Sequence, residues 1–118
     1  MSDWNETQPI YLQIRELILK RILSGDISEG EAIPSVRQVA AAERINPLTV
    51  SRAFQLLVDE GLIEKRRGLG MFVSEGARAR GLERERNRFL TQEWPETVRR
   101  MRSLNLDVAD LLQPEQNR

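Results

Sequence analysis

The 118-residue chain contains 40% hydrophobic and 31% charged residues, which is typical of one compact globular domain with an appendage and not of a disordered protein. It contains no cysteine and no histidine, so disulfide bonds and thiolate metal sites are excluded, and the usual general bases and nucleophile pairs of enzymes are missing. The formal net charge is zero, and therefore bulk charge does not indicate a nucleic-acid partner.

Signals for membrane association, targeting and cofactor binding are also missing. No apolar run approaches the roughly 18 residues of a transmembrane helix, and the N-terminus lacks the basic and apolar regions of a signal peptide. No Walker-type glycine loop and no cluster of metal ligands occurs in the sequence. We therefore expect a cytoplasmic protein that is not an enzyme, has no membrane partner, and uses neither a cofactor nor a metal.

The first predicted element is an amphipathic helix from about Pro9 to Leu23. Ser24-Gly25-Asp26 ends this helix, and Ala32-Ile33 is compatible with a short strand further along the chain. We interpret the helix as a core element and Tyr11, near its start, as a packing residue with a tethered hydroxyl. The apolar stripe at helical spacing consists of Ile10, Ile14, Leu17, Ile18 and Ile22.

Two short helices separated by a three-residue connection follow. Ser35 is a good N-cap, and Gln38 completes a capping box for a helix over about 36–42. Asn46-Pro47 supplies the next N-cap and the first residue of a second helix, which runs to about Glu60. The short connection predicts a helix-turn-helix.

The second helix divides into two faces at 100° per residue. The core face carries Val50, Ala53, Phe54 and Leu57. The opposite face carries Leu48, Ser51, Arg52, Gln55 and Asp59, with Thr49 at the border. Arginine, glutamine and small apolar groups near a helix N-terminus suit readout of the major groove, although an ordinary solvated surface would show the same residues.

A basic β-hairpin is predicted directly after this helix. Leu62–Lys65 and Met71–Val73 have strand character, and Arg66–Gly70 forms a tip with two glycines. Residues 33–73 hold six basic and four acidic residues, and three of the basic ones are consecutive in this hairpin. A hairpin with this charge at this position is the wing of a winged helix, able to reach phosphates or a minor groove.

Several motifs in this region together resemble the GntR family of bacterial transcription regulators. The resemblance covers residues 9–73 and implies an N-terminal winged helix-turn-helix. The short tail resembles the YtrA subfamily, whose members are dimeric repressors that often control transport genes. The motifs are Pro9-Ile10-Tyr11-x-Gln13-Ile14, Ile33-Pro34-Ser35-Val36-Arg37, Asn46-Pro47-x-Thr49-Val50, Arg52-Ala53, Glu60-Gly61-Leu62-Ile63 and Arg67-Gly68-x-Gly70-x-Phe72-Val73.

The resemblance also implies which residues contact double-stranded DNA. We give most weight to Arg37, Thr49, Arg52 and Gly68. One departure concerns the turn, where the family usually has an apolar residue followed by glycine and this chain has Glu43-Arg44. The complete set of implied contacts is Ser35, Arg37, Asn46, Leu48, Thr49, Ser51, Arg52, Arg66, Arg67, Gly68 and Gly70.

A helical segment is predicted after the winged helix, which divides the chain into residues 1–76 and 77–118. A helix from Ala77 to about Trp94 is kinked or restarted at Pro95, and Asp107 caps a final short helix. The apolar stripe of this segment is too thin for a core of its own, so we expect two copies to pair, with the alternative that the segment folds back on its own winged helix. The predicted interface residues are Leu82, Phe89, Leu90, Trp94, Val98, Met101, Leu104, Val108 and Leu111.

These observations predict a mainly α fold with a small β-wing (α+β), an N-terminal winged helix-turn-helix followed by a C-terminal helical dimerisation segment. The predicted function is a sequence-specific DNA-binding regulator, a homodimeric repressor of a transport-related or neighbouring operon at a palindromic operator. The alternative is a winged-helix module for protein–protein contact without DNA, which the zero net charge permits and the basic wing disfavours. The operator, the regulated genes and any small-molecule effector are left open.

Overall fold

A computed structural model describes residues 4–113 of the chain. Residues 1–3 and 114–118 of the two predicted domains lie outside this range. The order of the elements confirms the predicted fold class, since helices precede and follow a small β-wing along the chain. The elements are α1 (Ile10–Leu23), α2 (Val36–Glu43), α3 (Pro47–Asp59), β1 (Ile63–Arg66), β2 (Gly70–Val73), α4 (Ala77–Arg88), a π-helical turn (Phe89–Glu93), α5 (Trp94–Ser103) and α6 (Val108–Leu111).

The core of the winged helix forms mainly between α1 and α3. The predicted stripe of α1 is partly wrong, because Ile10 and Leu17 are 38% and 41% exposed whereas Leu19 is 2% exposed. The buried arc of α1 is centred between Ile18 and Ile22 at 100° per residue, which leaves Ile10 and Leu17 at its edge. The predicted core face of α3 is confirmed, since Val50, Ala53, Phe54 and Leu57 are all at most 3% exposed.

The helix-turn-helix begins and turns as its capping residues predict. Ser35 Oγ accepts a hydrogen bond from the Gln38 backbone N–H at 3.1 Å, and Gln38 Oε1 accepts from the Ser35 N–H at 2.8 Å. Asn46 Oδ1 accepts from the Leu48 N–H at 2.9 Å at the start of α3. Between the helices, Arg44 adopts the left-handed conformation with φ 56° and ψ 50°. The capping box and the second N-cap are therefore confirmed.

The wing is an antiparallel pair in which Ile63 lies opposite Val73 and Arg66 lies opposite Gly70. The Leu69 N–H donates to the Arg66 carbonyl at 2.8 Å, and Gly68 has φ 78°. A positive φ at the third position of a four-residue turn is the type II pattern, which requires glycine there. On the other side of β2, an isolated bridge between Ala32 and Phe72 replaces the short third strand that was expected.

The chain divides into two compact units after Leu82. The domain boundary that we predicted after residue 76 stays a prediction. The start of α4 packs into the core of the first unit. Ala77 is fully buried, and a Cβ atom added at Gly81 would lie 2.9 Å from Leu23 Cδ2. Glycine thus allows α4 to approach α1 closely.

In the second unit, the π-helical turn joins the end of α4 to α5, whose second residue is Pro95. Proline lacks the N–H that would bond to the carbonyl of Thr91, and its ring clashes with that carbonyl in a regular helix. The wider π-helical turn relieves this clash. Within it, the Trp94 N–H bonds to the Phe89 carbonyl, five residues earlier, as is typical of a π-helix. The kink predicted at Pro95 therefore takes the form of a π-helical turn ahead of the proline.

A distant carboxylate holds the N-terminus of α4. The Glu29 carboxylate accepts hydrogen bonds from the Gly76 and Arg78 backbone N–H groups at 2.8 and 3.3 Å. These bonds, helped by the charges of Arg80 and Arg78, lower the pKa of Glu29 from its ordinary value of 4.5. Arg80 adds a hydrogen bond from Nη2 to the Gly61 carbonyl at 2.6 Å. The charged form of Glu29 is thus favoured in the folded protein.

Glu29→Gln should therefore lower stability at neutral pH and flatten its acid dependence. Because the folded pKa lies below 4.5, the contribution of Glu29 is fully present above that pH and is lost as the pH falls through the lowered value. Urea denaturation at a series of pH values from 7 to about 3 measures this, with Glu75→Gln as the neighbouring control. Identical acid profiles for Glu29→Gln and the wild type would contradict the assignment.

Candidate nucleic-acid interface

The outward face of α3 carries the side chains that the sequence assigned to it. Leu48 is 77% exposed, Ser51 and Arg52 are exposed, and Thr49 is half-buried at the border. Gln55 is exposed, but its amide donates to the Asp59 carboxylate at 2.8 Å. The predicted division of α3 into two faces is confirmed, and its first two turns present a mixed polar and apolar surface.

Arg52 is held over an aromatic ring. Its Cζ atom lies 3.8 Å from the ring centroid of Tyr11, in the first turn of α1. Within residues 4–113 it forms neither a hydrogen bond nor an ion pair. No hydrogen bond tethers the Tyr11 hydroxyl to the described residues, so the expected tether is not found, whereas the ring packs against the core as predicted. The cation–π contact between these residues was not anticipated from the sequence.

The start of α2 provides a second cationic position. Arg37 lies in the first turn of α2, is exposed, and has no ion-pair partner among the described residues. Free N–H groups at a helix N-terminus favour phosphate, and an arginine beside them adds charge. Ser35 and Asn46 use their side-chain oxygens as caps, so only the Ser35 hydroxyl hydrogen and the Asn46 amide hydrogens are left to donate.

The basic residues of the wing differ in whether another side chain of the protein binds them. Arg66 donates from Nε to Glu64 at 3.2 Å and lies over the Phe72 ring at 4.3 Å. Lys65 and Arg67 are exposed and make no ion pair within the part of the chain that the structure describes. Leu69, which sequence reasoning missed, is 71% exposed at the tip. The available charge of the wing therefore rests on Lys65 and Arg67.

The helix α3, which is the recognition helix of the helix-turn-helix, and the wing meet at one cleft of about 480 Å³. Ser51 and Gln55 line it from α3, and Lys65 and Gly70 line it from the wing, over an apolar floor that includes Phe54. Of the residues to which the sequence assigned DNA contacts, Ser51 of α3 and Gly70 of the wing thus line the same cleft. Groups able to contact bases and groups able to contact phosphates are adjacent there.

A partly buried ion pair fixes the far end of the recognition helix. Arg15 Nε lies 2.9 Å from each carboxylate oxygen of Glu60, and its Nη1 donates to Glu16 at 2.7 Å. The Arg15 side chain is 9% exposed and that of Glu60 is 22% exposed. No pattern in the sequence indicates this contact, because Arg15 and Glu60 lie 45 positions apart in the chain.

The second unit exposes a set of large apolar side chains. Phe89 stacks with Trp94 at a centroid distance of 6.2 Å and remains 46% exposed. Of the predicted interface residues, Leu90, Leu104 and Leu111 are exposed, Leu82, Trp94, Val98 and Val108 are half-buried, and Met101 is 8% exposed. Leu106 and Leu112, which were not predicted, are 45% and 76% exposed.

The residues that the structure describes contain neither a metal site nor a membrane-spanning helix. Within them, no group of three or more acidic side chains is arranged to hold a metal ion. No helix of residues 4–113 combines the length and apolar character needed to cross a bilayer.

A helix-turn-helix with an exposed polar recognition face beside a basic β-wing defines a winged-helix DNA-binding protein. Residues 10–73 match the family described as bacterial regulatory proteins, gntR family. The chain belongs to this family.

Relatives and solved structures extend the likeness over most of the chain. YhcF, an uncharacterized HTH-type transcriptional regulator of Bacillus subtilis, is 33% identical over 113 residues, which cover 95% of this chain and 91% of that protein. YtrA, an HTH-type transcriptional repressor of the same bacterium, is 41% identical over 76 residues, which cover 64% of this chain and 58% of that protein.

Among solved structures, a GntR family transcriptional regulator from Listeria monocytogenes is similar with a TM-score of 0.78 and 25% identity, covering 98% of this chain and 99% of that one. AraR(DBD) in complex with operator ORR3 is similar with a TM-score of 0.56 and 27% identity, covering 63% of this chain and 89% of that one. The chain is accordingly a YtrA-like DNA-binding regulator and not an enzyme.

Removing one partner of the ion pair at the end of α3 should destabilise the fold. Glu60→Ala leaves the buried Arg15 guanidinium without its main counter-charge, and we expect a loss of about 3 kcal/mol. Glu64→Ala, which removes the exposed partner of Arg66, is the matched control and should cost less than about 1 kcal/mol. Urea denaturation measures both, and equal losses would show that burial of Arg15 adds nothing to this contact.

Proposed function

We propose that this chain is a sequence-specific repressor that binds a palindromic operator as a homodimer and controls a transport-related or neighbouring operon. The observation that carries the proposal is the cleft that brings Ser51 and Gln55 of the recognition helix next to Lys65 and Gly70 of the wing. Two similar proteins support the proposal, because YtrA is a transcriptional repressor and the structure of AraR(DBD) contains an operator.

The proposed contacts divide by chemistry. Arg52, Thr49 and Leu48 read bases in the major groove, where arginine pairs bidentately with guanine and small apolar groups contact the thymine methyl. Ser51 lies beside them on the same face. The remaining proposed residues contact the phosphate backbone or the minor groove, and they are Ser35, Arg37, Asn46, Arg66, Arg67, Gly68 and Gly70.

The exposed apolar side chains of the second unit support the proposed homodimer. Contiguous exposed apolar surface usually marks an interface, and Phe89, Leu90 and Leu104 are each about half exposed at 46%, 56% and 55%. A second copy of the chain carries the same surface, and a two-fold axis pairs it with itself. Two winged helices related in this way match the two halves of a palindromic operator.

We also propose a cytoplasmic location, because an operator-binding protein acts where the chromosome is.

Arg52→Ala should weaken operator binding by roughly 1–3 kcal/mol and leave binding to random DNA nearly unchanged, because a bidentate arginine contributes to discrimination between bases. Footprinting of the DNA upstream of the gene defines the operator, and fluorescence anisotropy at one fixed salt concentration gives both affinities. Arg21→Ala, which removes an exposed arginine bonded to Asp26, is the control for loss of charge. An equal loss on operator and random DNA would make Arg52 a backbone contact, and no preference of the wild type for any duplex would refute the proposed function.

Leu90→Glu should convert the homodimer into monomers, because it places a charge on the apolar surface that pairs the two copies. Sedimentation velocity at micromolar concentration measures the change. Gln92→Glu adds the same charge at an exposed polar position two residues away and should leave the dimer intact. A wild-type chain that sediments as a monomer would overturn the dimer.

A further inference from the structure

The contact between Arg52 and Tyr11 joins the recognition helix to the first turn of α1. Arg52 Cζ lies 3.8 Å from the ring centroid, well inside the range of about 6 Å over which a cation is attracted to an aromatic face. Tyr11 is half-buried and packs against the apolar core, so one side of its ring is supported by the fold. The exposed guanidinium therefore rests on a fixed surface.

We propose that Tyr11 is a positioning residue for DNA readout, which holds the Arg52 guanidinium on the outward face of α3 ready to donate two hydrogen bonds to the acceptors of one guanine. This inference rests on the proposed function, because it needs Arg52 to read a base. It adds a residue outside the helix-turn-helix and the wing to the machinery of specificity.

A contact with the ring face orients the guanidinium without occupying its hydrogen-bond donors. Guanidinium carries five N–H donors in the plane of the group, and a ring beneath it interacts with its charge and its flat surface. Among the described residues, Arg52 donates none of them. Guanine presents O6 and N7 as adjacent acceptors in the major groove, which two of these donors match.

Two other arginines of the same unit show the difference. Arg15 is also fixed, but its Nε and Nη atoms bond to Glu60 and Glu16. Arg66 also lies over an aromatic ring, that of Phe72 at 4.3 Å, but its Nε donates to Glu64. Arg52 alone of these three combines a fixed position with donors left for a ligand.

Loss of the ring lets the Arg52 side chain sample other rotamers, so operator binding has to select the competent one. The strength of cation–π contacts predicts a loss of about two- to thirtyfold in operator affinity. Binding to random DNA depends on phosphates and should not change. The defect should therefore lower specificity and leave general affinity intact.

A double-mutant cycle on the full chain tests the proposal. Affinities for the footprinted operator duplex and for a random duplex are measured by anisotropy at one salt concentration. Tyr11→Phe keeps the ring and should bind both duplexes like the wild type, whereas Tyr11→Leu should lose about two- to thirtyfold on the operator only. In an Arg52→Ala background, Tyr11→Leu should cause no further loss. Tyr11→Met replaces the leucine variant should that variant fail to fold.

Equal losses on both duplexes, or the same loss with and without Arg52, would overturn the positioning role. Loss of affinity in Tyr11→Phe would do so as well, because the hydroxyl would then be a direct DNA contact. If Arg52→Ala loses operator preference and Tyr11→Leu keeps it, only the inference fails and the proposed function stands.

A measurement without DNA examines the contact itself. The ring current of Tyr11 should shift the δ-methylene protons of Arg52 upfield in NMR spectra of the wild type and of Tyr11→Phe, and this shift should disappear in Tyr11→Leu. An unshifted resonance in the wild type would overturn the proposal whether or not DNA is bound.

Discussion

The contact between α1 and the recognition helix is the constraint on which the rest of the winged helix depends. Its apolar part buries Ile14 and Ile18 together with the core face of α3. Its polar part consists of the Arg15–Glu60 ion pair at the C-terminal end of α3 and the Tyr11–Arg52 contact nearer its N-terminus. Apolar packing alone is non-directional, so these two polar contacts add the specificity that sets the position and rotation of the helix.

The net charge of zero is compatible with DNA binding because some basic residues are paired with carboxylates and others are not. Arg15 and Arg21 are paired with carboxylates and contribute little field outside the protein. Arg37, Lys65 and Arg67 have no such partner within residues 4–113, and all three lie at the start of α2 or in the wing. These three cations lie on the proposed interface, so a net charge of zero still leaves positive charge there for phosphates.

Sequence patterns predicted the parts of this fold that depend on near neighbours. The capping box at Ser35 and the two faces of α3 follow from spacings of three or four residues. The contacts that were missed join residues far apart in the chain, such as Arg15 with Glu60 and Glu29 with the N-terminus of α4. A single sequence contains no periodicity that reveals such pairs. The error at Leu17 arose similarly, because the helix period defines a stripe, whereas the packing partner decides where that stripe is centred.

The departure at Glu43-Arg44 leaves the helix-turn-helix geometry intact. Arg44 adopts the left-handed conformation that glycine favours, at a cost of roughly 1–2 kcal/mol for a residue with a Cβ atom. The Arg44 and Ile45 N–H groups both bond to the Ala40 carbonyl at the end of α2, and the Ile45 side chain packs against the core. These are the interactions of a glycine-type helix end. Because the surroundings determine the backbone at this position, arginine is forced into the conformation that glycine would adopt. The start of α3, and with it the recognition face, therefore stays where a glycine turn would place it.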